Sequence, residues 1–360
     1  MNPTTLLPTP DAIPAPWGWF QGLLLLCFLV HLLLMNAMFG SAAIALLSHL
    51  LYRNAAAPCT ASVSQTLPSL IAFTVNFGVA PLLFVQVLYG HLIYTSSLLM
   101  AVYWLSVAGL LMAAYALAYL LKYQGQRLGW LRVPMLLTIV SLFAAIAFVF
   151  VNNIGLMQAP ASWSRYFDAP QGLLLNLSDP MQLPRYLHFV LASVAVGGLS
   201  IAGFVHWQQQ RGDWSGADWV RRGCRWFSFA TMANIVVGLW FLFSLPPGTV
   251  ELSNAEGQWL AMLLVVGFLL SLPAIRAGLA GRVVGATSWT LATVAIMVGT
   301  RELLRRALLA PWFSPPQLPV QAELAPKAIF LIIFVLGLGL IGWMVAFTRR
   351  TAHHGKGGRA

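Results

Sequence analysis

Read for hydropathy alone, the chain alternates long apolar runs with short polar breaks. Nine runs stand out, at about 17–52, 68–93, 97–121, 130–152, 184–208, 226–246, 258–275, 284–305 and 327–348. About 20 apolar residues cross a bilayer as a helix, so each run predicts one span. The first run is longer than one crossing needs and should tilt or protrude. It has no basic lead, no short apolar core and no small-residue cleavage site, so it is not expected to be a cleaved signal peptide. The predicted fold is all-α, a polytopic membrane bundle of about nine transmembrane helices. Residues 1–16 read as a lead, 17–348 as the membrane bundle and 349–360 as a basic tail. The His353-His354 pair in that tail reads as solvated and receives no role.

Charge sharpens the picture. Only 8% of residues are charged and 59% are hydrophobic, against about 25% charged in soluble domains. A net charge of +11 on a soluble protein would point to nucleic acid. Here the basic residues lie between apolar runs, so lipid is the expected surrounding and no nucleic acid is. With the N-terminus outside, 14 Lys and Arg fall on inner segments and 6 on outer ones, the bias of a chain whose C-terminus is inside. The longest outer stretch, about 153–183, holds Trp163 and Tyr166 and predicts an ordered cap or a docking loop. Three cysteines, Cys27, Cys59 and Cys224, form no CxxC or CxxCH motif, which argues against covalent haem and thiolate zinc.

A long repeat is present. Sliding the first span by 157 residues lays His31 on His188, Gly40 on Gly197 and His49 on His206, with 6 identities over the 19 positions from His31 to His49. Asn76 and Asn234, in the second and sixth spans, are 158 apart. An even number of spans separates the copies, so the chain predicts two parallel four-helix units plus one further helix, not an inverted repeat.

No acid, Lys or Arg falls in the middle of a run, whereas ion-coupled transporters keep carboxylates there. Histidine is the exception: His31 and His49 in the first run, His91 closing the second, His188 and His206 in the fifth. A buried imidazole costs free energy unless satisfied, and its neutral form is an iron ligand. Each pair is 18 residues apart, five helical turns, and so shares one helix face about 27 Å apart. If those faces oppose each other, haem sites stack between His31 and His188 and between His49 and His206. Gly40 and Gly197 lie midway, where small residues allow close approach. The alternative for each histidine is a hydrogen-bonded bundle residue; His49, His91 and His206 also suit a wet interface. Met262 reads as packing or as a ligand. Arg301 and Arg305 read as interfacial anchors or as partners of haem propionates.

These residues resemble subunit I of the cytochrome bd quinol oxidase superfamily. The resemblance is patchy but in order along most of the chain. It rests on "HLLLMNAMFG" (His31 to Gly40), "NFGVAPLLFVQVLYG" (Asn76 to Gly90), "RYLHFVLASVAVGG" (Arg185 to Gly198) and "WLAMLLVVGFLL" (Trp259 to Leu270). It implies nine spans with the N-terminus outside, a haem ligand at His31, and a low-spin haem b between His188 and Met262. It also implies a bacterial inner membrane and a second membrane subunit. The departures matter equally. The family's acids align with Gln86, Leu111, Tyr119 and Met297, and its quinol loop shrinks to "PPGTVELSNAEG". His49 and His206 have no counterpart in the family.

The expectation is therefore a membrane cytochrome subunit carrying one to three non-covalent haem b groups. It would pass electrons between the membrane and an external partner such as a periplasmic c-type cytochrome, without reducing oxygen. Two rivals remain: a divergent bd-type terminal oxidase subunit, and a haem-free transporter or structural subunit.

Overall fold

The computed structural model describes residues 3–52, 57–125, 127, 129–168, 170–212 and 217–354. Among them, nine helices are long and apolar enough to cross a membrane. They are α1 (Trp17–Tyr52), α2 (Ala57–Leu99), α3 (Ala101–Gln124), α4 (Arg132–Met157), α5 (Gln182–Gln210), α6 (Ala217–Phe243), α7 (Ala255–Leu279), α8 (Val283–Leu309) and α9 (Leu324–His354). Every apolar run became a helix. The largest difference is α2, whose first turns are the mixed segment "APCTASVSQTL" that hydropathy alone passes over. The basic tail is helical through His354; residues 355–360, and Arg53 among the counted cations, lie outside the described residues.

The helices sort into two four-helix units, α1–α4 and α5–α8. In each, the first two helices form a tightly packed hairpin, and the units meet chiefly through α1 against α5. That contact is where the repeat becomes physical. Ser193 Oγ donates to Asn36 Oδ1 at 2.8 Å across a separation of 157 residues. One turn on, a Cβ on Gly40 would strike the Ser193 carbonyl, and one on Gly197 would strike the Gly40 backbone. Equivalent residues of the two copies touch each other, as they must on an axis of two-fold pseudo-symmetry. The contacts 36–193 and 40–197 advance together, so α1 and α5 run the same way and the axis lies along them. Replacing Gly40 or Gly197 by Leu forces these backbones apart. The expected cost is about 1–3 kcal/mol, read as a lower melting temperature in detergent; an unchanged melt would show that the contact is not close.

One end of the bundle is closed by three segments, and is called the cap end below. The lead runs under the segment before α9, with Ile13 N donating to Pro319 O at 2.8 Å and Gln321 N donating to Ile13 O at 3.0 Å. Residues 158–168 and 170–181 fold over α4. Trp163, 2% exposed, donates from Nε1 to Leu156 O at 2.8 Å, and the Asn176 amide donates to Asn152 Oδ1 at 2.8 Å. The expectation of an ordered segment there holds, although α4 takes its first residues, through Met157. The α9 helix stands apart: none of its best apolar window is buried. Its apolar side chains on every face are what a helix surrounded by lipid or by another membrane chain requires.

Candidate functional site

The spacing of the histidines decides which way they face. His31 is nine residues before Gly40, and His188 nine before Gly197. Nine residues are two and a half helical turns, so each histidine lies on the face opposite the glycine crossing. His49 and His206 lie nine residues beyond those glycines and share that orientation. The two histidine faces therefore cannot oppose each other across α1 and α5, and the expected pairings His31–His188 and His49–His206 across that contact do not form.

Each outward histidine instead meets the next helix of its own unit. The His31 Nδ1–H donates to the Thr74 carbonyl of α2 at 3.0 Å. The ring lies against Gly78, where a Cβ would come within 2.7 Å of Cε1. His188 Nδ1 is buried and faces the Asn234 carbonyl of α6 without closing a full hydrogen bond. Its ring lies against Gly238, where a Cβ would come within 3.3 Å. In both units the carbonyl belongs to the residue four before the glycine. A helical carbonyl already accepts from the amide four residues on, and side chains tilt back over the preceding turn. A glycine at that position leaves the carbonyl open to a second donor and leaves room for a flat ring.

The same construction thus occurs twice: histidine, carbonyl, glycine. In both, the residue that supplies the carbonyl also carries a buried side-chain oxygen without a partner, Thr74 Oγ1 and Asn234 Oδ1. The equivalence also corrects the match in the second and sixth spans. Asn234 corresponds to Thr74, not Asn76; Asn76 is exposed and bonds back to Ala72 at 2.9 Å.

The remaining candidates are less convergent. His49 is half-buried, with Nδ1 lacking a partner. His206 Nε2 pairs with Gln210 Nε2 at 3.1 Å along its own helix. His91 follows the break in α2 at Tyr89 (φ −132, ψ 26), and its ring is packed edge-on against Phe313 at 4.5 Å. Met262 is 44% exposed on α7.

At the cap end α8 carries a cluster that hydropathy understated. Glu302, 5% exposed, accepts from Tyr89 Oη at 2.7 Å and pairs with Arg305 at 2.8 Å. Arg305 is 0% exposed and stacks on Tyr89 at 5.1 Å. Arg301 lies over Phe28 at 4.4 Å, and Arg306 lies over Trp17 at 4.9 Å and within 3.9 Å of Glu302. Sequence reasoning passed over Glu302 and Tyr89. The signal available was an acid three residues before an arginine on one helix face.

Among the described residues no group of three or more His, Cys, Asp or Glu would hold a bare metal ion. Haem iron makes a smaller demand, one or two axial side chains, because the porphyrin supplies the equatorial nitrogens. An imidazole whose Nδ1 faces a carbonyl presents the lone pair of Nε2, the arrangement that orients histidine ligands generally. His31 and His188 both meet that requirement. A scan against known protein families finds no match, and no curated protein is detectably similar to this chain.

Proposed function

We propose that the protein is a membrane haem b cytochrome subunit that moves electrons between the membrane and a redox partner on the cap side. The carrying observation is the twofold histidine–carbonyl–glycine construction within two apolar helix pairs. An imidazole nitrogen in such surroundings costs free energy unless it meets a donor, a metal or water. In this reading His31 holds a haem in the first unit and His188 one in the second. Met262 is the candidate second ligand on the His188 side; His49 and His206, which turn away from each other, hold no haem in this reading. When bound, haem supplies one-electron chemistry that needs no proton. This suits a chain whose acids lie outside the span centres.

The protein's own groups do the rest. Thr74 and Asn234 fix the ring orientation and tautomer of the two histidines. Gly78 and Gly238 keep the space beside the rings open. Arg301 and Arg305 hold positive charge at the cap end, where propionates need it. In this reading the cap end is outside and the C-terminus inside, which the excess of basic residues on the other side supports. In a bacterium that membrane is the inner one, a periplasmic c-type cytochrome fits as partner, and α9 offers a face for a second membrane subunit. The resemblance to subunit I of the cytochrome bd superfamily supports the same reading.

Gly78→Ala tests the construction. The new methyl displaces the His31 ring, because its Cβ would sit 2.7 Å from Cε1, while Gly238→Ala needs a shift of only a few tenths of an ångström from His188. The expected result is marked loss of one haem in Gly78→Ala and a milder loss in Gly238→Ala, measured by reduced-minus-oxidised spectra. Equal, full occupancy in both variants would count against the reading.

One observation favours a second reading, a divergent bd-type oxidase subunit: the buried Glu302–Tyr89 pair, an acid and a phenol within 2.7 Å. Oxygen uptake by the purified protein with an artificial electron donor separates the two. Uptake by the native chain that Tyr89→Phe abolishes supports the oxidase; its absence in the native chain supports the electron carrier.

A further inference from the structure

Arg185 received no role in the reading above, and the repeat gives it one. It lies one turn before His188. Advancing Phe28 by the repeat length of 157 gives Arg185, and Phe28 lies one turn before His31. The first unit therefore has a phenylalanine where the second has an arginine. The missing guanidinium is supplied from elsewhere: Arg301 reaches from α8 and lies over the Phe28 ring at 4.4 Å. Each histidine thus has one guanidinium about a turn toward the cap end, Arg185 for His188 and Arg301 for His31. Residues three apart on a helix are neighbours, with Cβ atoms about 5–6 Å apart.

The two cations are close enough to repel each other. Among the described residues neither has a carboxylate in ion-pair range. Glu302 is engaged by Tyr89, Arg305 and Arg306. Asp179, the acid nearest Arg185, accepts from Asn176 Nδ2 at 3.1 Å and from the Met181 amide at 2.9 Å. Arg185 Nη1 is buried without a hydrogen-bond partner, its Nη2 reaches only the Met181 sulfur at 3.9 Å, and the guanidinium lies over the Phe241 ring at 5.4 Å. Two half-buried like charges with no carboxylate in direct contact are costly, and an arginine fork matches a carboxylate in two-bond geometry.

We propose that Arg185 and Arg301 are paired anchors for carboxylates, each taking a propionate of the porphyrin whose iron is held by the histidine of its own unit. This rests on the haem reading above and deepens it. A cation beside the porphyrin edge favours the reduced, more electron-rich state.

The test is redox titration of the purified full chain as Arg185→Gln and Arg301→Gln, with haem content measured alongside and Arg211→Gln, at the opposite end, as control. The expected result is that each Gln variant lowers the midpoint of a different haem. The reduction equilibrium should shift by about tenfold, which is 59 mV for a one-electron couple, while Arg→Lys restores most of it and Arg211→Gln moves neither. Where a Gln variant fails to fold, Arg→Met supplies the uncharged side chain of similar length. Three results overturn the proposal while leaving the haem reading intact: haem bound with both midpoints unmoved; both midpoints lowered equally by either variant; or loss of a co-purifying phospholipid with unmoved midpoints, which would assign the anion to a lipid phosphate. A native chain without haem overturns the haem reading itself, and this inference with it.

Discussion

His31→Ala and His188→Ala are each expected to remove one b-type absorption and leave the other. The two rings lie in separate helix pairs, against Gly78 and Gly238, and the α1–α5 contact between them is filled by Asn36, Gly40, Ser193 and Gly197. Loss of one axial ligand should therefore empty or convert one site, with total haem falling by about half if each site holds one group. The double variant should be colourless. If either single variant removed the same band, or all of it, the histidines would share one haem and the assignment of one site to each unit would be wrong. His206→Ala and His49→Ala, at the other end of the same helix faces, should leave both of these bands in place.

Glu302→Gln is expected to be the most destabilising single change at the cap end. Its carboxylate is the ion-pair partner of the fully buried Arg305 and accepts the Tyr89 hydroxyl. Removing one partner of a buried pair leaves the other charge uncompensated, at a cost of about 3–5 kcal/mol. The Tyr89 link also ties α8 to α2, so the loss falls on the contact between the two units. Tyr89→Phe removes only the hydroxyl and should cost about 1 kcal/mol. Thermal unfolding of the two variants in one detergent checks the ranking; a Glu302→Gln protein that melts with the native chain would mean that the cluster adds little to stability.

Much of the architecture could be read from hydropathy, because lipid compels each span to be a continuous apolar helix. The first run, 17–52, matches α1 residue for residue, and the 157-residue repeat emerges as the Asn36–Ser193 and Gly40–Gly197 contacts. The site was legible in composition but not in direction. The histidines and the midway glycines were both visible, yet nine residues between them make half a turn in excess of whole turns, which turns the rings away from the crossing. Gly78 and Gly238 were hidden for a different reason: a glycine in an apolar run carries no sign of which ring it faces. Thr74 acts through its backbone carbonyl, which sequence does not display. Glu302 and Arg185 sit near helix ends, where charge reads as ordinary interface. Glu302 is covered by Tyr89 of α2 and Arg185 by Phe241 of α6, contacts distant in the chain.

The central claim, that the two half-buried imidazoles hold iron porphyrin, is tested most directly by a pyridine haemochrome assay. The assay is run on the purified full-length chain, made in cells supplied with a haem precursor, with protein measured independently. The account predicts haem b at one equivalent for each four-helix unit. A pure, folded and colourless protein would contradict it.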